Sequence, residues 1–240
     1  MLRAALLCSV FFTASLTTLV EVVPPEVPLS NRVLFLVDVS GSMSGFKFDR
    51  ACSAVLEISS QPTDDMQFAL LAFDDVTRRW PGFKDEEGSE ELPWGWATLP
   101  SEEALERSTR WLSTQTPQGG TRLIQALKSA MAEDRERLSI VLVSDGMFYQ
   151  ETTQEILDAV ERCQQEREAR GAGRAVLLVY GVSGGGSHVL EQLGKHGRGG
   201  FFREDDPPPL PAWSDRPVQV LPSVEPDADT DVDAGHRRIR

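Results

Sequence analysis

Uninterrupted apolar runs in the middle of the chain constrain its fold more than any other feature. The clearest runs are rich in Val, Leu, Ile or Phe and lie at residues 32–40 (RVLFLVDVS), 66–73, 138–143 and 175–180. A strand with one solvated face would alternate polar and apolar residues, so these runs predict parallel strands that are buried on both faces. Stretches with apolar residues at helical spacing lie between them. The pattern therefore predicts an α/β fold with a doubly wound, mostly parallel central sheet flanked by helices on both faces.

Weaker signals complete the predicted set of elements. Further strands are expected at residues 78–83 and 200–202. Ser101 followed by two glutamates is typical of a helix N-terminus. The last helix is expected to end at Gly194.

The charge balance and the counts of His and Cys exclude several classes of protein. The chain has 37 acidic and 24 basic residues and a net charge of −13, and such a surface would repel a phosphate backbone. We therefore expect no nucleic-acid binding. Three cysteines in 240 residues exclude a small disulfide-built fold, and three histidines do not favour a histidine-rich metal site.

The two ends of the chain differ in composition from its middle. Residues 1–22 combine Arg3 with an uncharged apolar stretch, which is typical of a secretory signal peptide or of a membrane anchor. Both interpretations stay open, and either one places the rest of the chain outside the cytoplasm, secreted, periplasmic or tethered to a membrane. We interpret residues 23–31 as a Pro-rich linker, residues 32–206 as one domain, expected to be monomeric, and residues 207–240 as a disordered Pro- and Asp-rich tail.

Three polar segments follow predicted strands at the positions where sheets of this kind bind ligands. Binding sites in such sheets lie outside the carboxyl ends of the strands. The segments are Asp38-Val39-Ser40-Gly41-Ser42, Gly119-Gly120-Thr121 and Ser144-Asp145-Gly146. Because alternate residues of an extended segment project to the same side, the first segment presents one carboxylate and two hydroxyls together. We expect five oxygen donors to converge there: Asp38, Ser40, Ser42, Thr121 and Asp145.

Donors of this chemistry favour a hard divalent cation. Carboxylate and hydroxyl oxygens suit Mg²⁺ (or Mn²⁺), whereas zinc would prefer His or Cys ligands. Because three of the donors are neutral hydroxyls, the ion would still attract an anionic ligand, which an Asp or Glu of a protein partner would supply. The structural alternative is that the two serines cap a turn while the two aspartates accept hydrogen bonds from loop amides.

At these residues the sequence resembles the von Willebrand factor A domain with its metal-ion-dependent adhesion site. The family pattern is Asp-x-Ser-x-Ser after the first strand, then a later Thr and a later Asp, and the resemblance covers residues 32–205. It implies a Rossmann-like fold in which the serines and Thr121 ligate the ion directly, while Asp38 and Asp145 bind it directly or through water. Some members carry a neighbouring acidic metal site after the motif. Residues 43–46 (MSGF) contain no acidic residue, so we expect no such neighbouring site.

A competing motif lies at residues 181–185 (GVSGG), which match the G-x-S-x-G turn of serine hydrolases. A catalytic triad would also need an acid and a histidine held in the right geometry. His196 follows Glu191 too closely on one helix, and His236 lies in the proline-rich tail. We therefore favour a glycine-rich turn and expect no enzymatic activity, with a serine hydrolase using Ser183 as the least favoured alternative.

Two further features bear on the fold. The insert at residues 77–100 contains three tryptophans beside a group of acidic residues. We favour tryptophans that pack onto the sheet over tryptophans that extend a partner-binding surface near the metal. Cys52 and Cys163 lie on helices that the predicted topology places on opposite faces of the sheet, so both are expected to be free, buried thiols.

Together these features predict a divalent-cation-dependent, adhesion-type protein-binding domain in which a partner's Asp or Glu completes the metal coordination. The main alternative is a structural or assembly scaffold whose metal stabilises the loops.

Overall fold

The structure is a computed structural model that describes residues 30–60, 66–82, 95–99, 101–183 and 186–203. The predicted signal peptide or anchor, the linker up to residue 29 and the predicted tail lie outside the described residues. None of the helices within the described ranges is long and apolar enough to cross a membrane.

The described residues form a seven-stranded sheet. Its strands are β1 (Arg32–Asp38), β2 (Met66–Phe73), β3 (Thr77–Arg79), β4 (Ala97–Leu99), β5 (Leu138–Ser144), β6 (Val176–Gly181) and β7 (Arg198–Arg203). They lie in the order β3-β2-β1-β5-β6-β7, and β4 pairs with the other end of β2. The pairs that join β2, β1, β5, β6 and β7 are parallel, whereas β3 and β4 run antiparallel to β2. The prediction of a mostly parallel sheet is confirmed.

Helices cover both faces of this sheet, as the doubly wound arrangement predicts. They are α1 (Phe46–Ser59), α2 (Glu102–Ser113), α3 (Leu123–Met131), α4 (Thr153–Ala169) and α5 (Ser187–His196), with a short 3-10 turn at Gly41–Met43. The buried residues of α1 and α2 belong to one hydrophobic core, and those of α3, α4 and α5 belong to a second core on the opposite face.

The first strand shows why its sequence is apolar without interruption. Val33, Phe35 and Val37 lie in the core under α1 and α2, whereas Leu34 and Leu36 lie in the core under α3, α4 and α5. All five side chains are fully buried. Because successive side chains of a strand point to opposite faces, a central strand covered on both sides needs an apolar residue at every position.

One predicted helix boundary, the N-terminus of α2, agrees with the structure, and another, the C-terminus of α5, differs from it. Ser101 caps α2, because its Oγ accepts a hydrogen bond from Ala104 N at 3.1 Å. The prediction that the last helix ends at Gly194 is wrong, since α5 continues to His196. A Cβ at Gly194 would lie 2.5 Å from the backbone of Gly200. This glycine therefore allows α5 to approach β7 closely and does not end the helix.

The insert after β2 contributes two short strands instead of one longer strand. The strand predicted at residues 78–83 is only Thr77–Arg79, and β4 was not predicted. Trp80 is buried and stacks on Phe68, with ring centroids 5.4 Å apart. Trp96 donates from its indole nitrogen to Glu133 Oε2 at 3.3 Å. These two tryptophans therefore pack onto the domain, while Trp94 and the acidic residues of the insert lie outside the described residues.

Cys52 and Cys163 lie in the two different cores, on opposite faces of the sheet, and both are free thiols. Cys163 is buried as expected, but Cys52 is only partly buried. Burial raises the pKa of the Cys52 thiol to about 11, so this thiol stays protonated at neutral pH.

Candidate metal centre

Asp38 lies at the end of β1, where the strand passes into the first polar loop. Its carboxylate is fully buried and accepts two hydrogen bonds. Ser144 Oγ, at the end of the neighbouring β5, donates to Asp38 Oδ2 at 2.6 Å, and Ser40 N donates to Asp38 Oδ1 at 2.9 Å. The parallel pairing of β1 with β5 therefore joins the first and third polar segments at one edge of the sheet.

The two serines continue this network towards Asp145. Ser40 Oγ and Ser42 Oγ lie 3.1 Å apart and share a hydrogen bond. Ser42 Oγ then donates to Asp145 Oδ1 at 3.2 Å, and Met147 N donates to the same carboxylate oxygen at 3.2 Å. Side-chain hydrogen bonds thus link Ser40, Ser42 and Asp145 in one chain of oxygens beside Asp38.

Backbone hydrogen bonds hold the Thr121 loop against the ends of β1 and β2. Gly41 N donates to Gly119 O at 3.1 Å, and Arg122 N donates to Asp74 O at 3.0 Å. Thr121 itself is 5% exposed. It lines the same open cleft as Ser42, and the volume of this cleft is about 120 Å³. The structure therefore brings all five predicted donors to the same edge of the sheet, with Thr121 facing the cleft from the second segment.

Burial, together with the nearby charge of Asp145, raises the pKa of the Asp38 carboxyl to about 6. Hydrogen bonds from Ser144 and Ser40 oppose this rise by stabilising the charged form. The burial effect is the larger one, so the Asp38 carboxylate carries a desolvation cost that hydroxyl and amide donors offset only in part. A cation bound beside this carboxylate would offset the remainder.

Lys47 is a charged neighbour of the site that sequence reasoning missed. Its Nζ lies 2.7 Å from Asp145 Oδ2, and the Lys47 and Asp145 side chains are 23% and 0% exposed. Lys47 lies in the first turn of α1. The helix dipole disfavours a positive charge there, and the Asp145 carboxylate compensates for it.

Asp75 is a second neighbour of the candidate metal site that the sequence did not indicate. It follows β2 and accepts a hydrogen bond from Gly120 N at its Oδ2, with a distance of 2.9 Å. A Cβ at Gly119 would lie 2.4 Å from the same Asp75 oxygen, and Gly119 has a φ of 69°. The left-handed backbone therefore favours glycine at position 119, beside the Asp75 carboxylate.

Gly186, in the glycine-rich turn after β6, also lies where the backbone packs too closely for a side chain. A Cβ at Gly186 would lie 2.2 Å from Gly146 O, and both glycines have positive φ values. The turn therefore packs backbone to backbone against the loop that carries Asp145. His196, the first histidine after an acidic residue downstream of Ser183, lies at the far end of α5 and 3.6 Å from Glu161. The absence of enzymatic activity stays a prediction.

The donor set fits Mg²⁺ or Mn²⁺ by its chemistry. Two buried carboxylates and three hydroxyls lie at the same edge of the sheet, and all of these donor atoms are oxygen. Among the described residues, no group of three or more His, Cys, Asp or Glu side chains is placed to hold a metal. The metal-ligand role of the five residues stays a prediction.

Comparison with solved structures places the fold among known domains. The match to von Willebrand factor type A from Catenulispora acidiphila has a TM-score of 0.55 at 19% identity, and covers 76% of this chain and 40% of that chain. The match to the three N-terminal domains of the type V pili tip protein Mfa5 from Porphyromonas gingivalis has a TM-score of 0.51 at 14% identity, over 79% and 49% of the two chains. This chain therefore spans less than half the length of either solved chain, and likeness at these identities concerns the fold.

Sequence comparison gives the family. A search of curated proteins found no match. A family model, however, described as von Willebrand factor type A domain, matches residues 31–200. Because this match covers most of the chain, the chain belongs to the von Willebrand factor type A domain family.

Proposed function

We propose that the domain binds Mg²⁺ or Mn²⁺ at a metal-ion-dependent adhesion site and uses the ion to capture a protein partner through a partner's Asp or Glu. The ligands would be Asp38, Ser40, Ser42, Thr121 and Asp145. The main support is that three distant segments bring these residues to one carboxyl edge of the sheet. Hydrogen bonds link the segments of Asp38, Ser40, Ser42 and Asp145 there, and Thr121 lines the same cleft as Ser42.

The charges at the site explain why a partner carboxylate would be attracted. Two carboxylates formally balance a divalent cation, and the Lys47 ammonium adds a positive charge beside the site whether or not it still pairs with Asp145. The remaining ligands are neutral hydroxyls, which polarise towards the ion and leave its charge uncancelled. A bound divalent cation would therefore carry a net positive charge into the open cleft, where an acidic side chain is the matching ligand.

An apolar rim around the cleft supports a protein partner over a free carboxylate. The exposed large hydrophobic residues among those the structure describes are Phe46, Val76 and Tyr149, which are 66%, 56% and 80% exposed. We call these three residues the apolar rim. They follow β1, β2 and β5, so all three lie at the carboxyl edge that carries the predicted metal ligands, Phe46 at the start of α1 and the other two in loops. Exposed apolar side chains grouped at one edge are typical of a protein contact surface.

The experiment uses the full chain, immobilised, with native extract in Mg²⁺ or in EDTA. A partner that supports the proposal is retained in Mg²⁺, released by EDTA, and not retained by a Thr121→Ala variant. A Ser44→Ala variant is the matched control, because Ser44 Oγ lies in the same loop but donates to Gly41 O, outside the donor set. Replacing the acidic residues of the retained partner by amides should abolish retention, and retention that survives in EDTA would contradict the proposal.

Tyr149→Ala is expected to weaken partner binding about tenfold while the affinity for Mn²⁺ stays within twofold. The side chain lines the cleft but supplies none of the predicted ligands, so its loss removes buried contact area from the interface and leaves the metal site intact. Surface plasmon resonance with the retained partner measures the first quantity and calorimetry measures the second. A Gln165→Ala variant, on the exposed surface of α4, should bind like the native chain.

A structural scaffold is the second candidate function. It is favoured because a bound metal would join three distant segments whose loops are already linked by hydrogen bonds. In that case a chelator would lower the melting temperature of the domain, yet no partner protein would bind through its own carboxylates.

We also propose that the domain is monomeric, has no enzymatic activity and lies outside the cytoplasm. The location is supported by the apolar stretch within residues 1–22.

A further inference from the structure

We propose that the Lys47 ammonium is a built-in competitor of the metal ion: it neutralises Asp145 when no metal is bound and thereby lowers the affinity of the site for divalent cations. This inference rests on the proposed metal site. It assigns to a residue outside the ligand motif the role of setting how tightly the site holds its ion.

The geometry makes Lys47 a direct partner of a predicted ligand. Lys47 Nζ lies 2.7 Å from Asp145 Oδ2, which is the distance of a charge-assisted hydrogen bond. The other oxygen, Asp145 Oδ1, accepts hydrogen bonds from Ser42 Oγ and Met147 N. Both oxygens of the carboxylate are thus engaged, so a cation that binds Asp145 must displace or share at least one of these partners.

Burial makes the competition strong. The Asp145 side chain is fully buried, and Asp38, also fully buried, lies near enough for the two charges to repel each other. A buried carboxylate without a compensating charge is costly. Lys47 removes this cost from the metal-free protein, which in turn reduces what a metal ion gains by binding.

The position of Lys47 suits a competitor that can withdraw. Its side chain is 23% exposed, so the ammonium reaches Asp145 from the solvent side and can return to water along a flexible chain. It leaves from the first turn of α1, only five residues after Ser42, so its movement requires no change in the sheet. A lysine that served packing alone would not change the affinity for metal.

The test measures Mn²⁺ binding by calorimetry and melting in EDTA, with the full native chain and a Lys47→Met variant. The variant keeps most of the length of the side chain and removes its charge. We expect the variant to bind Mn²⁺ about tenfold more tightly and to melt at a lower temperature in EDTA, because Asp145 loses its partner. Lys47→Gln serves as the second variant if Lys47→Met does not fold, with the same two shifts expected.

Arg50→Met is the matched control. Arg50 lies one turn further along α1, and its guanidinium is 3.7 Å from Glu57. This variant also removes one positive charge from the helix, but its ion pair lies on the surface. We expect its affinity for Mn²⁺ to stay within twofold of the native value, which separates a contact with Asp145 from a general change of charge.

The outcomes separate this inference from the proposed function. If the native chain binds Mn²⁺ and Lys47→Met binds it no more tightly, the role of Lys47 is overturned while the metal site stands. If only the Lys47 variants bind, the competition is supported in its strongest form. If neither protein binds Mn²⁺, both the metal site and the inference are wrong, whatever the melting temperatures show.

Discussion

Thr121→Ala and Asp38→Ala are each expected to reduce the affinity for Mg²⁺ or Mn²⁺ by at least about 100-fold, or about 2.7 kcal/mol, which calorimetry would register as loss of binding. Thr121 supplies the donor from the second segment, and Asp38 supplies one of the two carboxylates. Removing a ligand leaves water in its place, and removing a carboxylate also removes half of the negative charge that balances the ion. Thr121→Ala is the cleaner variant because Asp38 also accepts hydrogen bonds from Ser144 and Ser40.

Folding of both variants must be checked in EDTA, where the metal makes no contribution. Circular dichroism and melting of Thr121→Ala should match the native protein, since the loop is held by backbone hydrogen bonds of Gly119 and Arg122. The Ser44→Ala control should keep the native affinity. Unchanged Mn²⁺ binding by a folded Thr121→Ala or Asp38→Ala variant would remove the assigned site.

Arg167→Met is expected to destabilise the domain by about 3 kcal/mol, measured as the free energy of unfolding in urea. Arg167 lies on α4 and is fully buried. Its guanidinium donates to four backbone carbonyls: Gly173 O, Met131 O at the end of α3, and Glu133 O and Arg135 O in the segment that joins α3 to β5. The variant would remove this donor from Gly173 O, Glu133 O and Arg135 O, whereas Met131 O would keep its hydrogen bond from Arg170. A methionine side chain cannot replace any of the lost bonds.

The matched control for this prediction is Arg162→Met on the exposed face of the same helix. Its effect should stay within about 0.5 kcal/mol, as for most surface substitutions. A loss below about 1 kcal/mol for Arg167→Met would contradict the structural role of the buried guanidinium. A large loss would show that β5, which leads to Asp145, depends on this arginine for its position.

The main strands could be predicted from the sequence because their burial leaves a local signature. β2 has the predicted bounds, and β1, β5 and β6 differ from them by one or two residues. A central strand that is covered on both faces requires an apolar residue at each position, and this requirement is visible without knowledge of its neighbours. β4 escaped prediction because its three residues are too few for any period to be recognised.

The predicted end of the last helix failed for a reason that the local sequence does not contain. Glycine often ends a helix, but Gly194 continues α5 because β7 approaches it. The same residue type supports a left-handed loop at Gly119 and a backbone contact at Gly186. Glycine therefore serves three purposes in this domain, and only the segments packed against each glycine show which purpose applies.

The sequence by itself determined the apolar strands, the alternation with helices and the oxygen donors placed at the strand ends, since these depend on residue type and on spacing along the chain. Tertiary structure alone decided that Lys47 meets Asp145, which is 98 residues away, and that Arg167 reaches carbonyls more than 30 residues away. Contacts of this kind arise only after the sheet has brought its strand ends together, because a charged side chain carries no local mark of the distant partner that will bury it.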